Sequence, residues 1–192
     1  MKNENKTYQG RERRFVSDLV KRNEGQESRR IGGYAALVNV PTLIREDDFE
    51  YEEVILPGAF DDAVQASDIR ALLNHDVNEL LGRTASGTLA LIVDDKGLSY
   101  VVDVPKTRDD VLEMVERGDL SESSFQFSIL EERWTEREGQ PELREIIKMD
   151  RIYDVAPVTF AAYPDTTVAK RSHAAYIAVS YTHLTLPTIL LV

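Results

Sequence analysis

The chain has 192 residues, enough for one domain of ordinary size and too few for two full ones. With 42% hydrophobic, 30% charged and 8% aromatic residues it is globular in composition, and zero cysteines exclude a disulfide framework, a thiolate zinc site, an iron–sulfur cluster and a cysteine nucleophile. Twenty-three basic against 34 acidic residues leave a net charge of −11, which repels nucleic-acid phosphates and anionic lipid.

The charge is uneven along the chain. Residues 1–30 hold nine Lys/Arg and five Asp/Glu, so the other 162 carry −15. This basic stretch reads as a mobile N-terminal arm, whose sparse apolar cluster of Phe15, Val16, Leu19 and Val20 suffices at most for a short helix. No apolar run reaches the ~18 residues of a membrane span and no apolar core follows the charges of residues 1–6, so an intracellular protein is expected.

The folded domain is predicted over 31–170. Turn-bounded β patterns place strands over 31–38, 52–56, 69–73, 88–94, 98–104, 123–130, 143–148 and 151–159. Gly87 and the Asp95-Lys96-Gly97 run carry hairpin turn chemistry, because glycine accepts positive φ. Helices are predicted over 57–65 and 109–117; in the second, Thr107 caps, Val111, Leu112 and Val115 form the apolar stripe, and Gly118 stops it. The expected fold is α+β and β-rich, a closed or nearly closed antiparallel β-barrel with a few surrounding helices. Residues 171–192 read as a tail, and 180–192 resemble a translated sequencing adapter, so His173 and His183 are set aside.

That leaves His75 as the base titrating near neutral pH, where a partly buried strand runs into the turn Asp76-Val77-Asn78. In Ser123-Ser124-Phe125-Gln126-Phe127, alternation puts Ser123 and the two Phe on one face and Ser124 on the other, beside a connection where its hydroxyl is open to substrate. Asp154 sits in the apolar run 152–158, a setting that asks for a partner. An imidazole is one such partner and Arg83 is another; Asp76 rivals Asp154 as the acid beside His75, but neighbours in an extended chain point apart.

Serine, histidine and carboxylate together perform acyl transfer: the imidazole takes the hydroxyl proton during attack and returns it to the leaving amine, while the acid fixes the tautomer. The chain order His, Ser, Asp differs from three familiar triad orders, and G-x-S-x-G is absent. So are the phosphate-loop, dinucleotide and H-E-x-x-H motifs. Asp47-Asp48 and Asp61-Asp62 lack calcium-loop spacing; no metal and no cofactor are expected.

The ordered elements Gly33-Tyr34-Ala35-Ala36, Glu53-Val54-Ile55-Leu56-Pro57-Gly58-Ala59-Phe60, Leu73-Asn74-His75-Asp76 and Leu81-Gly82-Arg83 continue into Ser124-Phe125-Gln126-Phe127 and Asp154-Val155-Ala156-Pro157-Val158-Thr159-Phe160. Over residues 31–164 the chain thereby resembles the prohead maturation proteases of tailed bacteriophages, which are distantly akin to the herpesvirus assemblins. The resemblance implies His75 as general base, Ser124 as nucleophile and Asp154 as third member, with Arg83 a candidate supporter. Asp154 departs from the family's usual Glu, Ala156 from its frequent Ser and Ala161 from its frequent Pro. The implied activity is a serine endopeptidase that cleaves scaffold or the N-terminal extension of the major capsid protein, and itself, in the procapsid interior within the bacterial cytoplasm. Self-association is compatible with the resemblance; nucleic-acid and membrane partners are not expected. The alternative is a non-catalytic capsid assembly or scaffold protein of the same fold.

Overall fold

The computed structural model describes residues 10–17, 19–22, 28–46 and 49–160. In chain order the elements are β1 (Glu12–Val16), β2 (Val20–Arg22), β3 (Arg30–Leu37), β4 (Thr42–Glu46), β5 (Phe49–Ile55), α1 (Asp61–Ala66), β6 (Arg70–Leu72), β7 (Leu80–Arg83), β8 (Leu89–Val93), β9 (Gly97–Asp103), α2 (Asp109–Arg117), β10 (Glu122–Thr135) and β11 (Glu142–Val158). The expectation of a β-rich α+β protein with few helices is met. The tail 171–192 lies outside the described residues.

The strands form two sheets among the described residues, not the closed barrel expected. One runs β1-β10-β11-β5-β4, with β6 attached to β11 and β7 to β6; the other runs β2-β3-β9-β8. Nor is the pairing all antiparallel, since β5 and β6 both lie parallel to β11. The long connections between these partners permit parallel pairing, which hairpin signals cannot reveal. The strands predicted over 143–148 and 151–159 are one 17-residue strand.

Local chemistry explains the elements that were legible. In α2 the stripe Val111, Leu112 and Val115 is buried, and Gly118 at φ 79° lets its N–H reach the carbonyls of Met114 and Val115. Arg108 rather than Thr107 occupies the N-cap, with no side-chain cap bond. Helix α1 opens only at Asp61, because Gly58 at φ 87° spends the preceding residues on a turn. Gly97, at φ 152°, closes the β8–β9 hairpin; a Cβ there would stand 2.1 Å from the Ala36 carbonyl oxygen. The inward face of β10 supplies the core, where Phe125 stacks on Phe127 at 4.6 Å between centroids.

The basic arm expected over 1–30 is corrected at two places: residues 12–16 and 20–22 are sheet strands. For residues 12–16 the reason is a buried charge cluster; residues 20–22 pair with β3 in the other sheet. Arg14 bonds Glu53 through Nε and Nη2, both at 2.5 Å, and Glu12 at 2.8 Å. Arg144, 1% exposed, bonds Glu12 twice at 2.7 Å, Glu53 at 3.0 Å and Glu132 at 2.6 Å. Burial opposes ionisation of Glu12, yet Arg144 and Arg14 outweigh it and hold the carboxyl below its ordinary range. At Glu132 burial dominates and raises it.

Arg144→Met strands three carboxylates with one guanidinium and is expected to cost about 3–5 kcal/mol in urea unfolding. Glu12 is depressed in the folded state, so its contribution is present above the unfolded pKa of about 4.3 and is lost as pH falls through the lower folded value. Glu132 acts oppositely, stabilising fully below that unfolded value and losing this as pH rises through its raised one. Acid unfolding midpoints of the wild type and Glu12→Gln check the first sign.

Candidate active site

Strands β10 and β11 pair so that Ser124 lies opposite Ala156 and Gln126 opposite Asp154. Residues directly opposite share a face, so Ser124, Gln126 and Asp154 all stand on the side away from Phe125 and Phe127. Behind them Ser123 faces the core, where its hydroxyl meets the buried Tyr100 hydroxyl at 3.1 Å. Burial raises the Tyr100 phenol, so it remains a neutral hydrogen-bonding group.

A β-bulge makes Asp154 available. Between Gln126↔Asp154 and Phe127↔Ile152, β11 carries one extra residue, Tyr153. In a regular strand Asp154 and Ile152 would share a face. The bulge resets the alternation, sending Ile152 into the core and Asp154 to the Ser124 side.

His75 arrives from a different connection. After β6 the chain makes a tight turn in which Asn74 (φ 54°) and His75 (φ 59°) are both left-handed, uncommon for residues other than glycine. Asn74 anchors the turn: its Oδ1 accepts from the Thr159 backbone N–H at 2.8 Å and its Nδ2 donates to Thr159 Oγ1 at 3.2 Å. The imidazole then bridges the other two groups. Nδ1 lies 2.5 Å from Asp154 Oδ1 and Nε2 2.8 Å from Ser124 Oγ. With the proton on Nδ1 directed at Asp154, Nε2 is left to accept from the Ser124 hydroxyl.

The structure therefore brings His75, Ser124 and Asp154 together and leaves the rivals elsewhere. Asp76 turns to its own loop, where Oδ1 accepts from the backbone N–H and the side-chain amide of Asn78. Arg83 binds Asp68, not Asp154, and this hydrogen bond holds the Asp68 carboxyl down at about 2. Asp62 pairs with Lys148 at 2.6 Å; no metal-binding cluster of His, Asp and Glu occurs among the described residues, and Asp47-Asp48 lie outside them. Ser124 is fully buried, whereas an open hydroxyl was expected. The unread strand β1 is part of the reason: Phe15 pairs with Ser124, making β10 an interior strand.

Two polar residues escaped the sequence reading. With its amide oriented to satisfy both ends, Gln126 donates to Asp154 Oδ2 at 3.1 Å and accepts from Arg13 Nε at 3.2 Å. Its two-residue spacing from Ser124 was the available signal. Asn74 was the other, a residue type that tolerates the left-handed region.

The family model described as caudovirus prohead serine protease matches residues 17–178, a span holding His75, Ser124 and Asp154. No curated protein and no solved structure matches the chain.

Asn74→Gly keeps the left-handed turn but loses both bonds to Thr159, an expected cost of about 1–2 kcal/mol. Asn74→Ala adds the strain of a Cβ there, about 1–2 kcal/mol more. Urea unfolding of the two variants separates clamp from strain; equal losses would show that the positive φ carries no cost.

Proposed function

The chain belongs to the caudovirus prohead serine proteases, and from that membership we propose that Ser124, His75 and Asp154 act as its nucleophile, general base and orienting acid. The observation carrying this is the single imidazole hydrogen-bonded at 2.8 Å to the hydroxyl and at 2.5 Å to the carboxylate. As Ser124 Oγ attacks a peptide carbonyl carbon, its proton passes to His75 Nε2. Asp154 stabilises the resulting imidazolium through Nδ1–H. Collapse of the tetrahedral intermediate breaks the C–N bond, and Nε2 returns the proton to the leaving amine. Water, deprotonated by the same nitrogen, then hydrolyses the acyl-enzyme. Gln126 positions rather than reacts: bonded to Asp154 Oδ2, it keeps Oδ1 on the imidazole.

The substrates proposed are the scaffold or the N-terminal extension of the major capsid protein, and the chain itself, cut inside the assembling procapsid. Among the described residues no helix is long and apolar enough to cross a membrane.

Co-expression with the neighbouring capsid gene product is expected to shorten that product, and Ser124→Ala to abolish the shortening. An unshortened product beside wild-type protein that labels with a fluorophosphonate would sink the substrate assignment. His75→Ala and Ser124→Ala should each remove nearly all activity, and the double variant no more than either. Asp154→Asn is expected to lose about 10⁴-fold. For Gln126→Met, kcat should fall about 10- to 100-fold with KM nearly constant, as for one lost bond to a charged group. A change confined to KM would remove Gln126 from this role.

A further inference from the structure

The bulge that aims Asp154 also pushes Tyr153 outward, and a basic shelf forms around it. Arg11 stacks over the Tyr153 ring, 4.1 Å from its centroid, and the Arg151 guanidinium stands 5.9 Å away. Beside the ring is a cavity of about 270 Å³ lined by Ser67, Asp68, Arg70, Arg151 and Tyr153. Asp68 is already engaged by Arg83 and by Arg70, the latter at 3.2 Å. Arg151 is exposed and has no carboxylate or hydrogen-bond partner among the described residues. In a protein of net charge −11 an unneutralised arginine beside a second one, half-exposed, is an uneven placement of charge.

The shelf shares its face with Ser124. Arg70 pairs with Asp154 across β6–β11, and Arg151 lies opposite Ser128. Ser128 is four residues along β10 from Ser124, about 13 Å at ~3.3 Å per residue. An extended peptide has the same rise, so a side chain three to five residues from the bond at Ser124 reaches the cavity.

We propose that this Arg70–Arg151–Tyr153 cavity is a substrate subsite for an acidic side chain, Asp or Glu, three to five residues from the scissile bond. The inference rests on the reading of Ser124 as the nucleophile. A carboxylate entering there meets the Arg151 fork, with the Ser67 hydroxyl as a neutral donor; the Tyr153 hydroxyl donates to Ser128 Oγ at 3.4 Å. Nucleic acid fits worse, because a polyanion would meet Asp68 in the cavity wall, Asp150 at 3.2 Å from Ser128 Oγ and a protein of net charge −11. Because the arginines are partly solvated, the preference is moderate and salt-dependent: about fivefold in cleavage frequency at low salt, fading toward 1 M.

Digestion of a proteome-derived peptide library by the full chain tests this, each preference being read as a ratio within one digest. Asp and Glu should be enriched at one position three to five residues from the cut, with cuts absent for Ser124→Ala. Arg151→Glu should turn the enrichment into depletion and favour Lys or Arg there; Arg151→Gln should flatten it. Cuts with no acidic enrichment, or an enrichment unchanged in both Arg151 variants, would overturn the subsite and leave the nucleophile assignment standing. If no cut depends on Ser124, that assignment falls and the subsite with it. Binding of a fluorescent single-stranded DNA that Arg151→Glu abolishes, without acidic enrichment in the digest, would assign the shelf to nucleic acid instead.

Discussion

The register between β10 and β11 is the constraint on which the site depends. Ser124 and Asp154 are diagonal neighbours across this pair, and diagonal positions on one face lie about 7–8 Å apart. That is a gap an imidazole closes with one hydrogen bond at each end, at 2.8 and 2.5 Å. A slip of one residue would carry Asp154 to the core face, leaving a buried carboxylate without its imidazole. The bulge at Tyr153 serves both demands on β11: Ile152 and Val155 fill the core while Asp154 stands on the Ser124 side.

Holding His75 over that diagonal requires a backbone that few residues adopt. Two consecutive left-handed residues store strain, and the surrounding hydrogen bonds over-determine the turn. Leu73 N–H reaches the Glu79 carbonyl at 3.0 Å, Asp76 N–H reaches that of Leu73 at 3.0 Å, and Asn74 ties the loop to the end of β11 through Thr159. The strand carrying Asp154 thus also anchors the loop carrying His75.

Strand β1 couples the site to the charge cluster. Its inward residues Glu12 and Arg14 join Glu53 and Arg144, while Arg13 on the outward face meets Gln126 behind Asp154. A segment rich in charge is therefore held in the sheet by ion pairs rather than apolar burial. The same strand encloses Ser124 by pairing Phe15 against it.

Much of the chemistry was legible residue by residue. Alternation set Ser124 opposite to Phe125 and Phe127, the apolar stripe and Gly118 delimited α2, and the scarcity of histidine singled out His75. These properties are local, because a side chain's face and a helix's end depend on neighbours within a few residues. Strand β1, the parallel partners of β11, the two-sheet arrangement in place of a barrel, and Arg83 binding Asp68 were not legible. Each depends on groups distant in the chain, as Arg144 stands 132 residues from Glu12. From its own order of residues the chain determined which groups have the chemistry for acyl transfer and which face of each strand is apolar. Only the folded sheet decided that His75 lies between Ser124 and Asp154, because that contact is set by strand register and a bulge, which long-range pairing alone specifies.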